Sequence, residues 1–428
     1  MHKNTIKITL IFLLMSLIII SYGFTENWHQ WRGPNNDGIS QETNVPIKWS
    51  QTENIKWRLP LPGEGASTPA VWDDKIFLTC ADQDDLVLMC ISTDGEEQWK
   101  QVIAQGNSTK RRGEVNNAAP SPTTDGKYVW AFLGSGDLAC YDINGKPVWK
   151  TNLEERYGNF SLYFIMSTSP LLYKDRLYIQ LIHSNAWLVL ALDKMTGNEV
   201  WKHERESDAR RESEQAYTSP IIYRDSKHEF LVVHGADYVT AHNLKDGSEI
   251  WRCGGINSHE SYNSAFRLVA TPVATDGLIV VPSAKNGPVL GINPSGTGVI
   301  TDTEFQLWKL QRGTPDVPSP LIHDNLVYLC RENGVLICLD ANTGEKLYEK
   351  RTHDRRHRSS PVYANGNIYI TARDGVVNVI KAGREFEIVA TNTIGETIAA
   401  SPVIANGTLY LRSYDALYAI SNEIESKE

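Results

Sequence analysis

The sequence predicts an all-β fold: an eight-bladed β-propeller of four-stranded blades, the last blade closed by a strand from the N-terminal side. Three observations lead there. A Ser/Thr-Pro pair recurs at Thr68-Pro69, Ser121-Pro122, Ser169-Pro170, Ser219-Pro220, Thr271-Pro272, Ser319-Pro320, Ser360-Pro361 and Ser401-Pro402. After each pair come two short apolar stretches around a turn such as "KDR" or "ANG", which reads as a β-hairpin. A third stretch then ends at a small residue and a fourth at a large aromatic. A period of about 40–50 residues built from such units means blades rather than one layered core.

The 428 residues are 41% hydrophobic and 22% charged, enough for a large core and without a disorder signature. Taken in order, residues 1–23 carry Lys3 and Lys7, an apolar run from Ile8 to Ile20, and then Ser21-Tyr22-Gly23. That is the pattern of a signal peptide. The run is shorter than the roughly 20 residues of a membrane span, with an uncleaved anchor as the alternative. No cysteine follows it to carry an N-terminal lipid. Residues 24–53 are expected to form an extension that packs on the propeller, its Trp28 and Trp31 plugging one face. Asn35-Asn36-Asp37-Gly38 as cation ligands is the alternative. The eighth repeat stops at "YDALYAIS", so "NIKWRLPL" at 54–61, with Trp57, is expected to supply its fourth strand and protect both edges of the array. The propeller then spans 54–421, and 422–428 form a tail.

The small slot holds Cys90, Cys140, Ala191, Ala241, Gly291, Cys338 and Ala419, and the closing aromatic is Trp99, Trp149, Trp201, Trp251, Trp308 or Tyr348. The seventh repeat, "FEIVATN", has no tryptophan there. A position shared by Ala, Gly and Cys selects for small volume, so these cysteines read as packed free thiols. A Cys80–Cys90 bridge across a hairpin is the alternative.

The third repeat reads Ala191-Leu-Asp193-Lys-Met-Thr196-Gly197-Asn-Glu-Val-Trp201, and "CLDANTGEKLY" at 338–348 is a variant of it. This resembles the docking motif of pyrroloquinoline-quinone-like (PQQ-like) propellers, a family that includes quinoprotein dehydrogenases and the propeller scaffold of the outer-membrane β-barrel assembly machine. The resemblance covers nearly all of 54–420, and the Trp28–Gly38 segment looks like the N-terminal extension of secreted members. It implies either a protein-binding scaffold or, with PQQ and calcium, an oxidoreductase. The dehydrogenases carry an adjacent Cys-Cys pair beside the cofactor and a Glu/Asn/Asp calcium site. This chain has no Cys-Cys pair and no arrangement that maps onto that site. No cofactor and no metal is therefore expected, with PQQ and calcium as the alternative.

A net charge of −9 argues against nonspecific nucleic-acid binding. Basic residues nonetheless concentrate in loops that a propeller gathers on one face. They are Lys110, Arg111 and Arg112; Arg205, Arg210 and Arg211 among acidic neighbours; the run His353-Asp354-Arg355-Arg356-His357-Arg358; and His183, His234, Lys285, Arg331, Arg373 and Arg412 at hairpin ends. Guanidinium groups bind carboxylate or sulfate bidentately, so Lys285, Arg331, Arg355, Arg356, His357, Arg358, Arg373 and Arg412 are the candidate ligand-binding residues. The expected function is an exported, periplasmic or secreted, non-catalytic scaffold whose basic face contacts a protein partner or an anionic polysaccharide, with no transmembrane span in the mature chain. Two alternatives stay open. One is a uronate lyase or sulfated-glycan receptor, with His183, His234, Tyr217, Tyr262 and Arg331 as candidate catalytic groups. The other is the PQQ oxidoreductase. No serine stands in a nucleophile-elbow context, and His353/His357 is the only pair with metal-like spacing, disfavoured by the arginines between them.

Overall fold

The computed structural model describes residues 26–111 and 115–422, with the backbone alone for Thr109–Arg111. The expectations for residues 1–23, Arg112, the side chains of Lys110 and Arg111, and the tail beyond Asn422 lie outside the described residues. Each Ser/Thr-Pro unit opens a four-stranded antiparallel sheet, and eight such sheets form the molecule. In blade 1 the strands are Ala70–Trp72, Lys75–Asp82, Asp85–Ser92 and Glu97–Gln105, from the inside outward. Blade 8 combines three C-terminal strands with Ile55–Pro60, whose Trp57 pairs with Ala419.

Three features were not expected: a parallel strand, Gly298–Val299, added outside blade 4; a two-stranded ribbon at Thr109–Arg111 and Val115–Asn116; and a short helix, Leu153–Tyr157, capped by the Asn152 side chain. Among the described residues no helix is long and apolar enough to cross a membrane.

The recurring Ser/Thr has a definite job. The Thr68 N–H donates to Ser121 Oγ (2.9 Å), Ser121 to Ser169 (3.0 Å), Ser169 to Ser219 (2.9 Å) and Ser219 to Thr271 (3.0 Å). Thr271 then donates to Ser319 (3.0 Å), Ser319 to Ser360 (2.9 Å), Ser360 to Ser401 (3.0 Å), and Ser401 back to Thr68 Oγ1 (3.2 Å). Eight blades are thus tied around the axis by a closed circle of hydrogen bonds. The following proline enters the innermost strand, an edge that needs no further N–H donor on its axial side.

The small slot is explained by register. Cys90, Cys140, Ala191, Ala241, Gly291, Cys338 and Ala419 lie directly opposite Trp99, Trp149, Trp201, Trp251, Trp308, Tyr348 and Trp57, and the register shifts at each of these sites. The bulge turns each ring toward the next blade. There the indole N–H of Trp57, Trp99, Trp149, Trp201, Trp251 or Trp308 donates to a carbonyl in the turn between the third and fourth strands, as Trp149 does to Lys194 O (3.0 Å). The Trp149 ring also lies against Gly197 (φ +69°), where a Cβ would stand 2.7 Å from it, so the glycine serves both turn and contact. The core accordingly lies between blades: each hydrophobic cluster draws on two or more neighbours.

All six cysteines are free and buried. The Cys80–Cys90 bridge is ruled out by register, since Cys80 faces Val87 and Cys90 faces Phe77.

Residues before the first strand cross one end of the channel. Val71 N–H donates to Trp28 O (2.8 Å) and Thr124 N–H to His29 O (2.9 Å). Leu172 N–H reaches Gln30 Oε1 (3.1 Å), Arg32 Nη2 donates to Pro320 O (2.6 Å), and Tyr363 N–H to Gly38 O (2.9 Å). This path touches blades 1, 2, 3, 6 and 7 and leaves the Trp31 ring at the axis.

Candidate functional site

Two cavities matter. One of about 320 Å³ occupies the axial channel on the face of the inter-blade loops, with Trp31 reaching it from the other end. Its wall has two tiers. The lower tier is the hydroxyl circle, Thr68 through Ser401. The upper tier lies two residues earlier in each blade, at Ala66, Ala119, Ser167, Tyr217, Val269, Val317, Arg358 and Ala399. Extended chain repeats its facing every two residues, so both tiers look at the axis. Arg358 is the one charged member of either tier.

A charged crescent surrounds the mouth beside Arg358. Glu332 Oε1 accepts from Arg356 Nε (2.8 Å) and Nη2 (2.7 Å), pairs with Lys285 through Oε2, and has Arg358 Nη2 at 3.6 Å. Asp316 lies 3.9 Å from Arg358 Nη1 and 3.8 Å from Arg267 Nη2, and Arg267 Nη1 meets Glu212 at 3.0 Å. Burial alone would raise the Glu332 carboxyl, but Lys285, Arg356 and Arg358 hold it well below the usual range. Burial pushes Asp316 up despite its arginines. Among the described residues, four cations and three carboxylates meet here. Lys285 and Arg356 keep about half of their side-chain surface in solvent, at 58% and 48%.

Of the residues singled out from sequence, Lys285, Arg356, Arg358 and Tyr217 come together here. Tyr217 OH donates to Gln215 Oε1 (3.1 Å) and accepts from Phe164 N–H (3.1 Å), and burial raises its pKa to about 12. Arg331 sits outside the cavity, bound to Glu349 (3.2 Å) and Asn286 (2.8 Å). Arg355 is exposed beside Asp354 (3.7 Å), and Arg373 N–H donates to Arg356 O (2.7 Å). Tyr262 bonds Asp237 and accepts from Arg210 N–H (2.9 Å), under the Arg210 guanidinium.

Four expectations need correction. His183, His234, His357 and Arg412 do not reach the solvent of this face; each is at most 1% exposed. His183 lies under Phe160 (5.5 Å), His234 Nε2 pairs with Pro282 O (2.8 Å), and His357 Nδ1 with Arg355 O (2.9 Å). Arg412 donates to Ser67 O (2.9 Å). His183, His234 and Arg412 lie at or next to the ends of strands over which the inter-blade loops fold, His357 lies within such a loop, and burial lowers the three histidines to about 4, 3 and 4. Arg205 is interior as well, donating to Thr240, Gly235 O and Tyr238 O.

Sequence reasoning missed Arg267, Asp316, Glu332 and Phe164. A signal existed for two of them: Arg267 and Asp316 stand four and three residues before a ring residue, where the loop descends into the channel.

The second cavity, about 620 Å³, opens on the opposite face beneath the N-terminal segment, among His29, Trp72, Asp125, Tyr173, Lys174 and Lys194. Its lysines are engaged, Lys194 by Asp125 (2.8 Å) and Lys174 by Glu229 (2.5 Å). It is the larger space.

The sequence matches the family described as outer membrane protein assembly factor BamB over the overlapping segments 40–159, 91–347 and 298–384, well over half the chain. The chain belongs to this family. No curated protein matches it. Among solved structures it is similar to BamB from Moraxella catarrhalis, with TM-score 0.61 and 16% identity over 85% of this chain and 98% of that one. It is also similar to a europium-containing methanol dehydrogenase, with TM-score 0.70 and 11% identity over 91% and 90%. The quinohemoprotein alcohol dehydrogenase of Comamonas testosteroni gives 0.63 and 12% over 94% and 82%. At these identities the likeness is one of fold.

The dehydrogenase likeness raises PQQ and a cation, and the channel donors do not fit a cation. Among the described residues no three His, Cys, Asp or Glu side chains converge. The two carboxylates that line the channel, Asp316 and Glu332, already face arginine and lysine. A hard cation takes six or more oxygen ligands, and this crescent would repel it.

Proposed function

We propose that this protein is an exported binding scaffold without catalysis, and that it receives acidic groups of its partner at the channel mouth on the inter-blade-loop face. The observation that carries this reading is the partly solvated crescent of Arg267, Lys285, Arg356 and Arg358 around Asp316 and Glu332, a concentration of four basic side chains at one mouth in a chain of net charge −9. A concave positive site focuses its field on an approaching anion. The lining also includes Val115, Ala119, Ile165 and Val269, which offer apolar contact, the mixture of a few directed polar groups on an apolar lining that suits recognition.

Lyase chemistry gains less support. Among the described residues no histidine lines the cavity, and Tyr217 spends its hydroxyl on Gln215 and Phe164. Export rests on the pattern of residues 1–23.

Thermal shift against polygalacturonate and dextran sulfate at low and high salt tests the reading. Binding to the folded state raises the midpoint as RT ln(1 + [L]/Kd). A salt-sensitive rise that Lys285→Ala/Arg356→Ala diminishes is expected. A rise with PQQ and calcium, and none with either polyanion, would overturn it.

A further inference from the structure

We infer that the hydroxyl circle at the base of the channel is itself an oxyanion site, taking the carboxylate or sulfate group of a ligand admitted by the mouth. This rests on the reading of the mouth given above and adds where the charged group ends and what holds it.

A serine or threonine hydroxyl has one proton to donate and two lone pairs. In all eight residues of the circle a neighbour's N–H occupies a lone pair. None of the eight donates its own proton to any acceptor among the described residues, although all line the cavity and none is more than 7% exposed. Each of the eight therefore lines the channel with its proton available to an acceptor on the axis, a water or a ligand oxygen. Receiving an N–H also polarises each O–H and makes it the better donor.

Charge selects what kind of acceptor enters. Neither tier of the wall contains a carboxylate, and its one ion is the Arg358 guanidinium. Asp316 and Glu332 stand at the rim, covered by cations. The far end is closed by Trp31. At about 30 Å³ per water, the space of about 320 Å³ holds on the order of ten waters, or an oxyanion with part of the chain that bears it and fewer waters. An anion loses little favourable contact on the way in and meets a ring of donors at the bottom.

Isothermal titration of the protein with glucuronate, sodium sulfate and trigalacturonate at fixed ionic strength tests this. Saturable binding is expected, weakened about tenfold or more in Ser169→Ala/Ser319→Ala. Ser169→Thr/Ser319→Thr should restore it, because Thr68 and Thr271 show that the circle accepts threonine. Far-ultraviolet circular dichroism confirms that each variant is folded. Tighter binding of trigalacturonate than of glucuronate assigns the group to a polymer, and equal affinity to a free small anion. If the alanine pair binds as the wild type does while Arg356→Ala weakens binding, the anion sits at the mouth and the circle is not the site, yet the scaffold reading stands. If the wild type binds none of the three probes, the circle holds water alone and the inference falls.

Discussion

The seam between blades 7 and 8 should depend on Trp49. Every other junction has an aromatic on the outermost strand, but in blade 7 the corresponding residue opposite Val379 is Ala390. The N-terminal segment covers this place. Trp49 is 4% exposed in a cluster with Val377, Val379, Leu409 and Tyr410, and its N–H donates to Asn392 Oδ1 (3.0 Å). Its indole Nε1 has no partner among the described residues. Burying about 150–250 Å² at about 25 cal/mol per Å² gives an upper bound of about 4–6 kcal/mol, reduced by about 1–3 kcal/mol for the unpartnered N–H. Trp49→Ala should therefore cost about 3 kcal/mol. Trp49→Phe, which loses no hydrogen bond, should cost about 1 kcal/mol less than Trp308→Phe, which gives up the bond to Ala341 O (2.8 Å). Urea unfolding gives the energies, and hydrogen exchange at Ile388–Thr393 and Val403–Ala405 gives the place. Unchanged exchange at these strands in Trp49→Ala would refute the reasoning.

Other outcomes follow from the same geometry. A side chain at Gly291 would collide with the Trp308 indole, so Gly291→Val should destabilise by about 1–3 kcal/mol, while Cys90→Ala, at the equivalent site, should be near neutral in the same unfolding assay. The six thiols should react with a thiol reagent only after denaturation, and reductant should leave the thermal midpoint unchanged; burial raises Cys330 to about 12. Acid should weaken the fold early. His183, His234 and His242 are held neutral by burial, at about 4, 3 and 3 against an ordinary 6.5, so the unfolded chain binds protons first. Stability is full above about pH 6.5 and declines toward pH 3. The midpoint should fall between pH 7 and 4.5, less steeply in His234→Gln.

Much of the fold was legible because its devices recur. Ser/Thr-Pro marks the axial circle, the small slot marks a tryptophan across the sheet, and the missing tryptophan of the seventh repeat marks the seam. The site was legible only in part. Arg356, Arg358 and Lys285 were found by pooling loop residues, which locates a face but not which residues on it see solvent. His183, His234 and Arg412 have the same loop address and are interior, because loops from neighbouring blades fold over them. Glu332 was hidden by its neighbour Arg331: two adjacent residues in one turn point opposite ways, and the carboxylate, not the guanidinium, faces the channel.

The most direct test of the scaffold reading is hydrogen–deuterium exchange with and without polygalacturonate at low salt. Protection should appear at 265–267, 314–317, 331–334 and 353–358, around the channel mouth. Protection instead at 124–126, 173–175 and 193–195, around the cavity beneath the N-terminal segment, would place the contact on the other face and contradict it.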